Sequence, residues 1–422
     1  MKLSLEGIKN SSDWEAAGIA LPGYDVEAAA RKAQEAPRWA HFGIGNIFRI
    51  FIGSIADGLL EKGELDTALT CVETFDYDVV DRIYRPFDNL GLSVILNPDG
   101  TRDYKVLGAF GEAVKAQSTD PEQWNRLKEV FSSPTLQLVS FTITEKGYAL
   151  TDSEGKYLPY VQADIDNGPD KATGAMGVVT AMLLERYKKG GTPIALVSMD
   201  NCSKNGSLLR SSVLTMTEEW LKRGYVDQGF SNYVEDENKV SFLWTMIDKI
   251  TPRPNPVIAA DLKALGVEDM EPVETSKRTY IAPFVNGEDP QYLVIEDHFP
   301  NGRPALEKGK GVYLGSRDTV NKAERMKVTA LLNPVHSAVA PLGVLLGEEY
   351  FATLINHDPK LMKLAKMVAY DEGMPMVPDP GILSPKAFAD ELFQLRFVNE
   401  YLLDTNLRIV TDESQGLGVR FG

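Results

Sequence analysis

The sequence predicts an α/β protein: a mostly parallel sheet with helices on both faces, followed by a mostly α-helical second domain. Three observations carry this. Apolar strands alternate with amphipathic helices as far as Gly224, the pattern of a parallel sheet. A glycine turn joins the first of these strands to its helix. Beyond Asn321 the apolar spacing is helical almost throughout. A chain of 422 residues also exceeds one ordinary core.

Taken in order, RWAHFGIGNIFRIFIGSIADGLLEKG reads as a strand, a glycine turn and a helix that stops at Gly63. ALTCVET is an apolar strand finishing on an acid. SVILNP and DYKVLGA form a hairpin turned at Pro98-Asp99-Gly100. PEQWNRLKEVF is a helix and TLQLVSFTIT a long β-branched strand. ATGAMGVVTAMLLERYKKGG is a helix halted by Gly190 and Gly191, running on into the buried strand IALVSMDN. GSLLRSSVLTMTEEWLKRG is a further helix. Past residue 278 the texture changes: YIAPFVNG, QYLVIEDHF and GVYLG are short strands among Gly/Pro turns, and helices follow to the end. The boundary is placed near Thr275–Lys277, giving domains 1–277 and 278–422.

Composition narrows the function. Hydrophobic residues at 43% and charged residues at 25% describe a water-soluble globular chain. A net charge of −16 argues against nucleic acid or an anionic membrane as partner, but not against an anionic small molecule held by a local basic cluster. Cys71 and Cys202 are too few for a disulfide framework, which points to the cytoplasm. His41, His298, His336 and His357 have no ligand-like spacing, so no metal is expected. No signal peptide is visible, and the longest apolar stretch, around AMGVVTAMLL, is too short to span a bilayer.

Four stretches could carry chemistry. In HFGIGNIF, Gly43 and Gly45, with Asn46 and Ile47 opening the helix, fit a dinucleotide fingerprint, although Phe48 occupies the third glycine position. Glu73, ending the next strand, would accept hydrogen bonds from a ribose diol and favours NAD. Arg82 and Arg85 lie close behind and keep NADP open. The bland alternative is a turn that packs a helix on a sheet. Asp200 and Asn201 follow a parallel strand, where ligand crevices form; otherwise they cap the next helix. Asp248 and Lys249 read most simply as a helix end with a surface ion pair. In KVTALLNPVHSAVAPLGVLLG, Asn333 and Pro334 look like an N-cap and a first helical residue, with His336 one turn on. Lys327, six residues earlier, is expected to approach from the preceding segment. A lone buried histidine is usually a satisfied core residue. A buried lysine is costly unless paired or lowered in pKa, and a lowered lysine suits acid/base work near neutrality.

Together these segments resemble the polyol-specific long-chain dehydrogenases, the family of mannitol dehydrogenase and fructuronate reductase. The matching pieces run the length of the chain: LPGYD, PRWAHFGIGNIFR, VSFTITEKGY, SMDNCSKNG, VSFLWTMIDKITP, VIEDHFPNGRPALEKGKGVYL, ERMKVTALLNPVHSAVAPLG and LRFVNEYLLDTNLRIVTDESQ. The resemblance implies an N-terminal Rossmann-like domain, a helical C-terminal domain, and metal-independent hydride transfer between NAD and a ketose-type carbonyl. It makes Lys327 the general acid/base, with Asn201 and Asn333 holding the substrate oxygen and His336 a hydroxyl. Asp248, Arg396 and Asn399 match other polar positions near the site. A carboxylate substrate would use Arg396 and nearby lysines, which puts fructuronate to mannonate ahead of mannitol/fructose and of mannitol 1-phosphate. A catalytically silent NAD- or sugar-binding sensor is the non-enzyme alternative, and a monomer or homodimer is expected. The sequence departs from the family in spacing Lys327 and Asn333 one residue further apart, in Pro334, in FRIFIG after the glycines, and in Gly416 where a basic residue is common.

Overall fold

Apart from one edge strand, the strands of the central sheet are mostly apolar and buried along their whole length, as a parallel sheet covered on both faces requires. In the computed structural model, which describes residues 1–411, this sheet comprises β1 (Trp39–Phe42), β2 (Leu69–Glu73), β3 (Phe110–Lys115), β4 (Leu138–Phe141), β5 (Ile194–Ser198) and β6 (Val240–Leu243). All six pair in parallel in the order β3-β2-β1-β4-β5-β6. This is the doubly wound Rossmann arrangement, and the order reverses between β1 and β4, where a crevice opens beyond the strand ends. Helices Pro121–Ser132, Ala175–Lys188 and Asn205–Lys222 bury Phe131, Leu183 and Trp220 against one face. Trp39, Phe51 and Leu59 belong to the core on the other.

Two strands escape a reading of the sequence. β3 follows the hairpin strand Arg102–Leu107 after only Gly108 and Ala109, so the two look like one. The run VSFLWTMID, read as leading to a helix end, is instead β6 followed directly by β7 (Thr245–Asp248). Conversely, the long strand expected through TLQLVSFTIT stops at Phe141. The Asp200 carboxylate accepts the N–H groups of Ile143 (3.0 Å) and Thr144 (2.9 Å) and turns the chain there, with Thr144 at φ +62°.

β7 leads into a second sheet, pairing antiparallel with β9 (Tyr292–Glu296), which pairs parallel with β10 (Val312–Gly315). Between them in sequence, β8 (Phe284–Gly287) joins the hairpin strand Gly91–Leu96. Strand pairings therefore cross residue 277 in two sheets, and the continuously helical part begins at Arg317. Because strand side chains alternate, Ile247 enters the Rossmann-side core while Met246 joins the helical core, and Asp248 shares Met246's face.

The helix Arg317–Leu346 is the spine of that helical core. By length and apolar composition alone it could cross a membrane, whereas the apolar stretch around AMGVVTAMLL is too short to do so. It is α-helical to Arg325, π-helical over Met326–Leu331 and α-helical again from Asn333. Within the π turn the Leu332 N–H donates to the Lys327 carbonyl, an i→i+5 bond (3.0 Å). A π turn holds one residue more than an α turn, so the wider Lys327–Asn333 spacing expected from the sequence fits within one continuous helix. Lys327 thus shares a helix with Asn333 rather than approaching from a separate segment. Leu332 already has helical backbone angles, so no new helix needs Asn333 as its cap.

Candidate active site

The two bodies meet over a cleft of about 880 Å³, lined among others by Asn201, Asp248, Lys327, Asn333, His336 and Arg396. Four elements supply these groups: the loop after β5, the end of β7, the Arg317–Leu346 helix and the π-helical segment Leu392–Arg396.

Lys327 is only 4% exposed. Its Nζ donates to the Asn201 Oδ1 (2.9 Å) and to the Ile247 carbonyl (2.7 Å), and lies 3.6 Å from the Asp248 carboxylate. Burial pulls its pKa below the usual lysine value, while Asp248 pulls the other way and Arg396 adds to the depression. With Oδ1 of Asn201 turned to the lysine, the Nδ2 hydrogens of that amide are left for another acceptor. Asn333 is half-buried at the cleft wall and its side chain makes no hydrogen bond among the described residues. The His336 ring packs edge-on to Phe351, centroids 4.9 Å apart, and leans on Phe397.

Behind the lysine stands a buried ion network that the sequence did not announce. Arg396 binds Asp248 through Nη1 (3.0 and 2.8 Å) and Glu288 through Nε (2.8 Å) and Nη2 (2.7 Å). Burial disfavours its charge, but the two carboxylates outweigh this and raise its pKa. Glu288 is fully buried and also accepts the Ile250 N–H. In the string VNGEDP it looks like an ordinary turn acid; only its burial reveals the role. Arg396, expected to bind a substrate carboxylate, therefore has its guanidinium committed to two protein carboxylates. Asn399, expected near the substrate, instead donates to the Leu96 carbonyl and accepts the Tyr401 N–H, and it does not line the cleft. Asp248 and Lys249 form no surface pair: Asp248 is buried, and Lys249 donates to the Glu288 carbonyl.

The expected cofactor residues gather at the ends of β1, β2 and β5. Gly43 has φ +87°, and a Cβ there would meet the Thr142 carbonyl at 2.2 Å, so glycine is required by the fold. Gly45, by contrast, opens on free space at the start of the helix. That is the clear approach a pyrophosphate needs toward backbone N–H groups, so these residues fit a dinucleotide. Asn46 and Ile47 are half-buried there, Asn46 accepting from Arg49 (2.8 Å). Glu73 is more occupied than expected: Oε1 accepts from Thr74, Phe75 and Asp76, and Oε2 from Ile44. Burial raises its pKa and those N–H bonds oppose the rise. Besides turning the β4 loop, Asp200 accepts the Tyr148 hydroxyl at 2.6 Å. Both acids thus shape the loops of the crevice. DESQ and Gly416 lie outside the described residues. Among those described, no group of three or more His, Cys, Asp or Glu is disposed to hold a metal.

Family models for the mannitol dehydrogenase Rossmann domain and C-terminal domain match residues 37–308 and 319–421. The chain belongs to the mannitol dehydrogenase family. It is 48% identical over 423 residues to the D-mannonate oxidoreductase of Thermotoga maritima, covering 100% of this chain and 78% of that protein. With the mannitol 2-dehydrogenase of Cereibacter sphaeroides it shares 30% identity over 94% of this chain and 76% of that one. Among solved structures it resembles a substrate-free D-sorbitol dehydrogenase (TM-score 0.81, 27% identity, covering 96% of this chain and 77% of that one). It also resembles the Pseudomonas fluorescens mannitol 2-dehydrogenase in ternary complex with NAD and D-mannitol (TM-score 0.75, 26% identity, 97% and 76%).

The two glycines of this family member separate fold from cofactor. Gly43→Ala costs about 1–3 kcal/mol through its forced backbone and lowers the melting temperature. Gly45→Ala melts as wild type but raises the KM for NADH. Equal melting losses in both variants would refute the assignment.

Proposed function

We propose that the protein is an NAD-dependent D-mannonate oxidoreductase, interconverting mannonate and fructuronate, with Lys327 as general acid/base. One observation carries the chemistry: a buried lysine of lowered pKa, held by Asn201 and Ile247, beside an uncommitted amide at Asn333. The near-half identity with D-mannonate oxidoreductase across the whole chain supports the substrate. NAD(H), when bound, supplies or accepts the hydride.

In the reducing direction the carbonyl oxygen gains negative charge as its carbon is reduced. The Nδ2 groups of Asn201 and Asn333 donate hydrogen bonds to that oxygen, that of Asn201 oriented beforehand by its bond to Lys327. Lys327 has two of its three N–H donors fixed by protein acceptors, which leaves the third to deliver the proton to the substrate. In oxidation the neutral amine takes the hydroxyl proton back. His336 stands at the same wall, placed to receive a substrate hydroxyl. Arg396 and Glu288 hold Asp248 in place, and Asp248 moderates the depression of the Lys327 pKa.

The sign of the pH dependence follows. Mannonate oxidation needs neutral Lys327, so its kcat rises with pH to a plateau, with a midpoint below the ordinary lysine value of 10.5. Fructuronate reduction falls over the same interval. Asp248→Asn removes the group that raises this pKa and moves the midpoint further down. An upward move would contradict the role given to Asp248.

The deciding assay follows NADH oxidation with fructuronate, tagaturonate, fructose and fructose 6-phosphate in parallel, beside NADPH. Preference for fructuronate with NADH supports the reading; preference for another ketose replaces the substrate.

A further inference from the structure

The cleft wall is basic although the chain carries a net charge of −16. Most of this charge is answered internally. Arg396 meets Asp248 and Glu288, Lys327 lies near Asp248, and Arg408 pairs with Asp404. Two cleft-lining cations remain with no carboxylate partner among the described residues: Lys249 and Arg253. Both sit on the segment that leaves β7 just after Asp248 and line the same cleft as Lys327.

This segment, Thr251-Pro252-Arg253-Pro254-Asn255, is built to hold its shape. Prolines on both sides of Arg253 fix the backbone. The buried Asn286 accepts the Asn255 N–H (3.2 Å) and donates to the Arg253 carbonyl (3.4 Å). Asn255 then caps the following helix by accepting the Val257 N–H (2.9 Å). The backbone of Arg253 is thus pinned, while its side chain is exposed and engages no acceptor among the described residues. Lys249 is half-buried, and burial brings its pKa down to about 8 against the pull of Glu288, so it is still mostly charged at neutral pH. An anion seated beside it would favour the charged form further.

Resting on the functional reading above, we propose that Arg253 and Lys249 form the subsite that binds the carboxylate at the far end of the hexuronate. Arg396 is poorly suited to that task, since four hydrogen bonds already tie its guanidinium to Asp248 and Glu288 and its charge is answered by both. Arg253 offers a planar pair of N–H donors matched to a carboxylate, and Lys249 adds a second positive charge to the same cleft wall. Fructose carries a hydroxymethyl group where fructuronate carries the carboxylate, so these residues select the sugar acid over the neutral ketose. A terminal phosphate has the same anionic chemistry, and the test separates the two.

Arg253 is exposed and supports no packing, so its replacement does not endanger the fold. The first readout is the ratio of kcat/KM for fructuronate to that for fructose in wild type, Arg253→Ala and Arg253→Lys. The ratio is expected to fall about tenfold or more in Arg253→Ala, the scale of a lost charged hydrogen bond, and to recover partly in Arg253→Lys. Lys249→Met lowers it as well. A ratio unchanged in Arg253→Ala, or an equal loss with both substrates, overturns the subsite. The second readout, calorimetric binding of mannonate to the NADH-loaded enzyme, does not depend on turnover. Mannonate binding weakened by Arg253→Ala upholds the subsite even if fructuronate proves not to be the substrate, whereas undiminished binding refutes it. If fructose 6-phosphate is the preferred substrate and its KM depends on Arg253, the carboxylate assignment falls and phosphate replaces it.

Discussion

Replacing Lys327 with methionine lowers kcat for fructuronate reduction by about 10²- to 10⁴-fold, the range a positioned acid/base group contributes. Methionine keeps the length and apolar stem of the side chain, so the π turn and its packing survive. Asp248 keeps its two bonds to Arg396 and is not left as an unpaired buried charge. The loss therefore falls on chemistry and not on folding. NADH affinity stays at the wild-type level, because the glycine turn lies on a different element. Single-turnover kinetics with titrated NADH checks both halves. A variant that retains most of its turnover would remove Lys327 from the mechanism, and one that loses NADH binding equally would make the lysine structural.

The second large effect is on stability. Glu288→Ala strips the buried Arg396 of one of its two carboxylates. Removing one partner of a buried ion pair costs about 3–5 kcal/mol, because the remaining charge stays desolvated. The Ile250 N–H loses its acceptor as well. Denaturant unfolding should show the change as a clear drop in midpoint. The control is Glu154→Ala, whose partner Lys156 is as exposed as itself, with an expected loss below about 1 kcal/mol. Equal small losses in the two variants would mean that the network is solvated and does not hold the site. Glu288→Gln should be milder, since an amide oxygen still accepts one of the Arg396 bonds.

Both predictions turn on residues that were legible to different degrees. Lys327 stood out because a cation inside an apolar helical pattern demands an explanation. Asn201 and Asn333 followed from the family's motif, and the cleft contains both. Glu288 and Arg253 carry no such signal. An acid in a Gly-Glu-Asp-Pro turn and an arginine between prolines look like surface residues, and no periodicity separates buried from exposed positions in short turns. Asp248 and Lys249 were misjudged for a related reason. A continuous apolar run does not reveal its period, and VSFLWTMID fits a buried helix or two short strands equally well.

What the sequence by itself determined is the class of fold, the glycine turn and the presence of a lysine within an apolar helical run at Lys327. These depend on local patterns: strand and helix alternation, a backbone position open only to glycine, and a charge where apolar residues are the rule. The tertiary structure decided which charges are spent and which are free. Arg396 and Arg253 are the same residue type, yet one is locked between Asp248 and Glu288 and the other lines the cleft with no hydrogen-bond or ion-pair partner for its guanidinium among the described residues. That difference rests on contacts between residues more than a hundred positions apart, and on their shared exclusion from water. Neither is written in the neighbourhood of either arginine.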